Sequence, residues 1–113
     1  MIALLRVLIT TVESLEQAEK LSSEMLERKL AGCVSMIPLV SKYWWKGKIE
    51  RSEEVMLVIK THQATIGELI DFIEKRHPYE VPEIIVLPVE IVSEGYLRWI
   101  EDVTLRKTAE SDR

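Results

Sequence analysis

The sequence predicts an α+β domain: strand, helix, two strands, helix and strand build a four-stranded mixed sheet with a long central hairpin, followed by an added C-terminal helix. Three observations carry this expectation. Two segments place apolar residues at three- and four-residue steps behind capping signals, as amphipathic helices do. Apolar runs rich in β-branched residues stand before, between and after them. Lys46-Gly47-Lys48 interrupts the middle run with the chemistry of a tight turn.

In chain order, Ile2 to Thr10 reads as a buried strand. Ser14 and Gln17 have capping-box spacing, and behind them Leu15, Ala18, Leu21, Met25, Leu26 and Leu30 line one helical face. Gly32 is placed to end that helix in the left-handed conformation. Cys33 to Lys46 and Ile49 to Thr61 form the two arms of the hairpin. Thr65 and Glu68 repeat the capping-box signal for a second helix through Ile66, Leu69, Ile70 and Ile73, which Pro78 must stop near Arg76 and His77. Ile84 to Ile91 is the fourth strand, with Pro88 suggesting an edge or a bulge. Ser93 caps a third helix carrying Tyr96, Leu97, Ile100 and Val103. This is the ferredoxin-like βαββαβ arrangement, a single domain over residues 1–105, with 106–113 as a disordered tail.

The 113 residues suffice for one core burying roughly two-thirds of the unfolded surface. A net charge of −4 and singly scattered Lys and Arg argue against nucleic acid as a partner. The one cysteine, Cys33, excludes an intrachain disulfide and fits a reducing compartment, where it reads as a small buried residue. The apolar run Met1 to Ile9 is broken by Arg6 and lacks a cleavage site, so no signal peptide or membrane span is expected and cytoplasm is the default location.

The hairpin arms are too long for such a domain. About fourteen residues at about 3.3 Å each span on the order of 45 Å. A domain of this length is roughly 35 Å across. The turn end therefore overhangs, and it carries Tyr43, Trp44 and Trp45. Adjacent strand residues point to opposite faces, so both tryptophans cannot pack on the same helices. This aromatic cluster is expected to be a subunit interface in a homo-oligomer.

The segment His77-Pro78-Tyr79-Glu80-Val81-Pro82-Glu83 concentrates an imidazole, a phenol and two carboxylates between and immediately beside two prolines that stiffen the backbone. His77, with oxygens from Glu80 and Glu83, is the candidate metal set. Imidazole suits copper, nickel and zinc, and Cu2+ binds most strongly among first-row divalent ions. The alternative for His77 is a helix cap. Tyr79 is expected to pack and to anchor the loop through its hydroxyl. His62, ahead of the second helix, reads as a surface residue. No nucleophile or cofactor fingerprint accompanies these groups, so no enzymatic activity is expected.

Five stretches then fall into a known order and spacing: Leu30-Ala31-Gly32-Cys33-Val34, Tyr43-Trp44-Trp45-Lys46-Gly47-Lys48-Ile49, Ile59-Lys60-Thr61, His77-Pro78-Tyr79-Glu80-Val81-Pro82-Glu83-Ile84 and Tyr96-Leu97-Arg98-Trp99-Ile100. Over nearly its whole length the chain resembles the CutA proteins, the divalent-cation-tolerance family. The resemblance implies a cytoplasmic ferredoxin-like homotrimer associated with tolerance to copper and other divalent metal ions. It further implies an assembly similar to the PII signalling proteins, whose subunit clefts bind small molecules. A PII-like sensor binding an anion is therefore the alternative function, with Lys46, Lys48 and Lys60 as candidate cleft residues. Of the copper ligands attributed to the family, His77 matches one of two consecutive histidines. Arg76 stands at the other, and no cysteine follows the first strand.

Overall fold

Leu8, Thr10 and Val12 leave the first strand, β1 (Leu5–Val12), on one side, and all three are buried. Opposite them Ile59, Leu57 and Val55 of β3 (Lys48–His62) point the same way and are buried too. Against this face pack α1 (Leu15–Glu27), through Ala18, Leu21 and Met25, and α2 (Ile66–Arg76), through Leu69, Phe72 and Ile73. The hairpin is completed by β2 (Cys33–Trp45), the far edge is β4 (Ile85–Pro88), and α3 (Glu94–Leu105) closes the order. This computed structural model describes residues 2–105; Met1 and the tail expected at 106–113 lie outside the described residues.

The fold class is the one expected, with one correction. The sheet runs β2-β3-β1-β4, and every neighbouring pair is antiparallel, so it is not mixed. Each helical crossover joins parallel strands, but those strands are never neighbours. β3 separates β1 from β2, and β1 separates β3 from β4.

Local chemistry explains most boundaries. Ser14 Oγ accepts the Gln17 N–H at 3.1 Å, as the capping pattern requires. The hairpin turns on Lys46 and Gly47, both at positive φ (52° and 80°), which is the two-residue turn matched to strand twist. Pro38 does not break β2; it pairs in register with Val55. β4 is shorter than the apolar run suggested, and Pro88 ends it on an edge, where its missing N–H costs no ladder bond.

Three expectations fail for physical reasons. Lys29, not Gly32, takes the left-handed position after α1 (φ 60°), with Lys29 N–H donating to Leu26 O and Leu30 N–H to Met25 O in a Schellman closure. Gly32 is required for space instead: a Cβ there would lie 2.5 Å from Ile100 Cδ1 and 3.1 Å from Val103 Cγ2 of α3. Thr65 makes no side-chain cap, because His62 serves the turn ahead of α2: its Nδ1 accepts the Ala64 N–H at 3.0 Å. His62 is accordingly buried, and its Nε2 points at Glu101 Oε2 of α3, 3.5 Å away.

The sheet thus has one face covered by α1 and α2. Its other face carries Val7, Ile9, Val58 and Lys60, and α3 reaches over one end of it at His62 and Gly32. Beyond Val12 only the hairpin continues, from Leu39↔Glu54 to Trp45↔Lys48, an overhang of about 20 Å. The molecule measures 51 × 31 × 22 Å, the long axis being set by that ribbon.

Candidate functional site

The connection from α2 to β4 is fixed by hydrogen bonds that reach three other segments. His77 closes α2 through its own N–H to Ile73 O, and Pro78 prevents another turn. Its imidazole leaves the helix and reaches β1, where Nε2 lies 2.8 Å from Thr11 O. A carbonyl can only accept, so Nε2 carries the proton. Nδ1 accepts the Tyr79 N–H at 3.1 Å. The ring is therefore neutral with a defined tautomer, and it tilts against the Tyr79 ring at 4.9 Å between centroids. Burial holds the His77 pKa below 6.5, against opposing effects of the Thr11 carbonyl and the Glu54 charge. His77 is thus not a cap of the last carbonyls of α2.

Tyr79 acts as the anchor expected of it. Its hydroxyl donates to Glu54 Oε2 at 2.7 Å, and burial together with this carboxylate raises the phenol pKa. Glu54 is the largely buried member of the pair, on β3 where β1 has ended. Its role is not legible in the local sequence pattern, because its partner is 25 residues away.

Between this loop and the overhanging ribbon runs an open groove of about 950 Å3. Tyr43, Trp44 and Trp45 line it from β2, Glu53 and Glu54 from β3, and Tyr79, Glu80 and Glu83 from the loop. The two regions singled out in the sequence, aromatic tip and proline-bounded loop, are thus two walls of one recess. The tip aromatics remain accessible in the single chain: Trp44 is 73% exposed, Tyr43 41% and Trp45 37%. Tyr43 is steadied by a 2.8 Å hydrogen bond between its hydroxyl and Ser52 Oγ.

Glu80 and Glu83 are exposed and line the groove, whereas His77 sits behind it on Thr11. Among the described residues no three His, Cys, Asp or Glu side chains converge on a point that would hold a metal ion. One chain by itself does not fit a closed copper site. Lys46 and Lys48 flank the hairpin turn, with Lys46 Nζ 5.6 Å from the Trp45 ring, while Lys60 lies roughly 40 Å further along β3. Within one chain these lysines do not meet. Cys33 is partly exposed, not buried, and lies near Tyr96, whose phenol pKa is raised by burial first and by the neighbouring thiol second.

A family profile described as CutA1 divalent ion tolerance protein matches residues 6–103. The human protein named Protein CutA is 46% identical over 88 residues, covering 77% of this chain and 49% of its own length. The Archaeoglobus fulgidus divalent-cation tolerance protein CutA is 38% identical over 92 residues, 81% of this chain and 90% of its own length. The chain thus spans about half the length of some relatives and nearly all of others. The CutA structure from Synechococcus elongatus superimposes with a TM-score of 0.88 at 33% identity, over 92% of this chain and 94% of that one.

Proposed function

The chain belongs to the CutA1 divalent ion tolerance family, and from that premise we propose a non-enzymatic homotrimer that binds divalent metal ions, copper foremost, between its protomers in the cytoplasm. The observation that carries this reading is the groove. It joins an aromatic ribbon that leaves its own domain to a rigid loop bearing Glu80 and Glu83.

Assembly is supported by two unpaired sheet edges. β2 and β4 are the outer strands, and the overhanging part of β3 is unpaired on the side where β1 has ended. Free edges of this length invite pairing with another chain. Joining different edges of successive copies is a head-to-tail contact, which closes into a ring when the rotation permits. Tyr43, Trp44 and Trp45 then lose their exposure at the interface.

Metal binding is supported by the oxygen-rich wall of the groove and by the tautomer of His77. The Thr11 carbonyl orients the ring from Nε2, the arrangement common for a ligating histidine, which leaves Nδ1 as the nitrogen with a lone pair. Using it for a metal would exchange the Tyr79 N–H bond for the ion. Since one chain does not complete a ligand set, the remaining donors come from a neighbouring protomer. Copper is the ion to test first, because nitrogen and oxygen sites prefer it among first-row divalent ions.

Native mass spectrometry with and without Cu(II) and Zn(II) reports subunit number and metal count together. A trimer that takes up Cu(II), and loses it in Glu80→Gln with Glu83→Gln, is expected. Unchanged copper uptake in that double variant would sink the groove as the metal site, and a monomeric mass would sink the assembly.

A further inference from the structure

We propose that Lys60 and Ser35, on the sheet face not covered by α1 and α2, form a binding patch for a small oxyanion of the phosphate type. The register places the residues. Lys60 stands between Val7 on β1 and Cys33 on β2, and Ser35 pairs with Val58 one row away on the same face. Lys60 is half-buried, with Val7 opposite it on β1 and Ile9 and Val58 one row along on the same face. It donates to Ser35 Oγ at 2.7 Å and, more weakly, towards Val58 O at 3.4 Å.

Among the described residues no carboxylate pairs with Lys60. Glu101, near the next row, is turned to His62 Nε2. An ammonium has three donors, so at least one of Lys60's remains available. Because Ser35 Oγ accepts from Lys60, its own O–H is free to donate outward. The patch therefore collects donors and one uncompensated positive charge, with no acidic side chain among its members. A tetrahedral oxyanion, with a full negative charge and several acceptor oxygens, satisfies that set. A partly desolvated cation on an apolar face needs such a counter-charge, more so where a neighbouring subunit covers it.

This rests on the anion reading of Lys60 alone, without the distant Lys46 and Lys48, and it is independent of the metal reading. The test is thermal melting of the full chain in inorganic phosphate against chloride at equal ionic strength and pH. Wild type and the α1 surface variant Lys20→Met should show a saturable phosphate-specific rise in Tm with a midpoint on the order of millimolar. Lys60→Met should weaken the effect tenfold or more, and Ser35→Ala should weaken it several-fold while keeping the charge. Circular dichroism confirms that each variant is folded. A rise that persists in Lys60→Met, or a wild-type response equal in phosphate and chloride, overturns the proposal. Native mass of the same samples separates the readings. A trimer without a phosphate effect refutes the anion patch and leaves the assembly, whereas a monomer with a Lys60-dependent effect supports the patch and refutes the assembly.

Discussion

Thr10 and His77 show how single side chains take their roles from partners distant in sequence. Thr10 is fully buried on the helix-covered face, and its Oγ1 has no hydrogen-bond partner among the described residues. A buried hydroxyl without a partner costs about 1–3 kcal/mol. Thr10→Val, which keeps the shape and removes the hydroxyl, is expected to raise the unfolding free energy by about 1 kcal/mol in urea titrations. A loss of stability would show that the hydroxyl is satisfied. For His77 the sign follows from burial. Its folded pKa lies below 6.5, so below pH 6.5 the unfolded chain takes up a proton that the folded chain resists. The stability present above pH 6.5 is therefore lost as pH falls through the folded value. Protonating Nδ1 also turns it from acceptor to donor against the Tyr79 N–H. Denaturation across this acidic range should give a shallower pH slope for His77→Asn than for wild type. Parallel slopes would exclude the neutral, doubly hydrogen-bonded ring.

At the scale of elements, α3 is held by a contact that helical periodicity does not reveal. Ile100 is fully buried where Gly32 leaves room for it, and Thr104 Oγ1 satisfies itself on Ile100 O. Gly32→Ala forces the Ile100 tip to move and crowds Val103, an overpacking expected to cost about 1–3 kcal/mol. Trimming the obstructing methyl with Ile100→Val in the same chain should recover much of that loss, so a double-mutant cycle by chemical denaturation measures the coupling. Additive losses would place the role of Gly32 elsewhere. Capping shows the same division. Ser14 with Gln17 was legible because the pattern is local, while the cap before α2 was misread as Thr65 because His62 reaches Ala64 from the end of a strand.

For the whole molecule the decisive quantity is the length of the hairpin against the size of its domain. Arms of 13 and 15 residues extend past the end of β1 and give a 51 Å long axis. In the proposed trimer the exposed Trp44 and its neighbours are buried by another copy. Trp44→Ala with Trp45→Ala is then expected to shift the light-scattering mass toward monomer and lower the melting temperature, since loss of a buried large aromatic costs about 3–5 kcal/mol. Unchanged mass and melting temperature would mean that the ribbon is solvent-exposed in the native protein.

Fold class, element order, the tight turn at Lys46-Gly47, the stop of α2 before Pro78 and the overhang were all legible in the sequence. Each is governed by local rules of periodicity, φ preference and rise per residue, which act within a few positions. Tertiary structure alone decided that the sheet is antiparallel throughout, because strand neighbours depend on how both crossovers pack. It brought Glu54 to Tyr79 and Thr11 to His77, made one groove of the aromatic tip and the proline-bounded loop, and left Lys60 without an acidic partner among the described residues. Hydrogen bonds and charge pairs act over a few ångströms of space, and the spacing of residues along the chain does not encode which distant groups the packed sheet will bring within that reach.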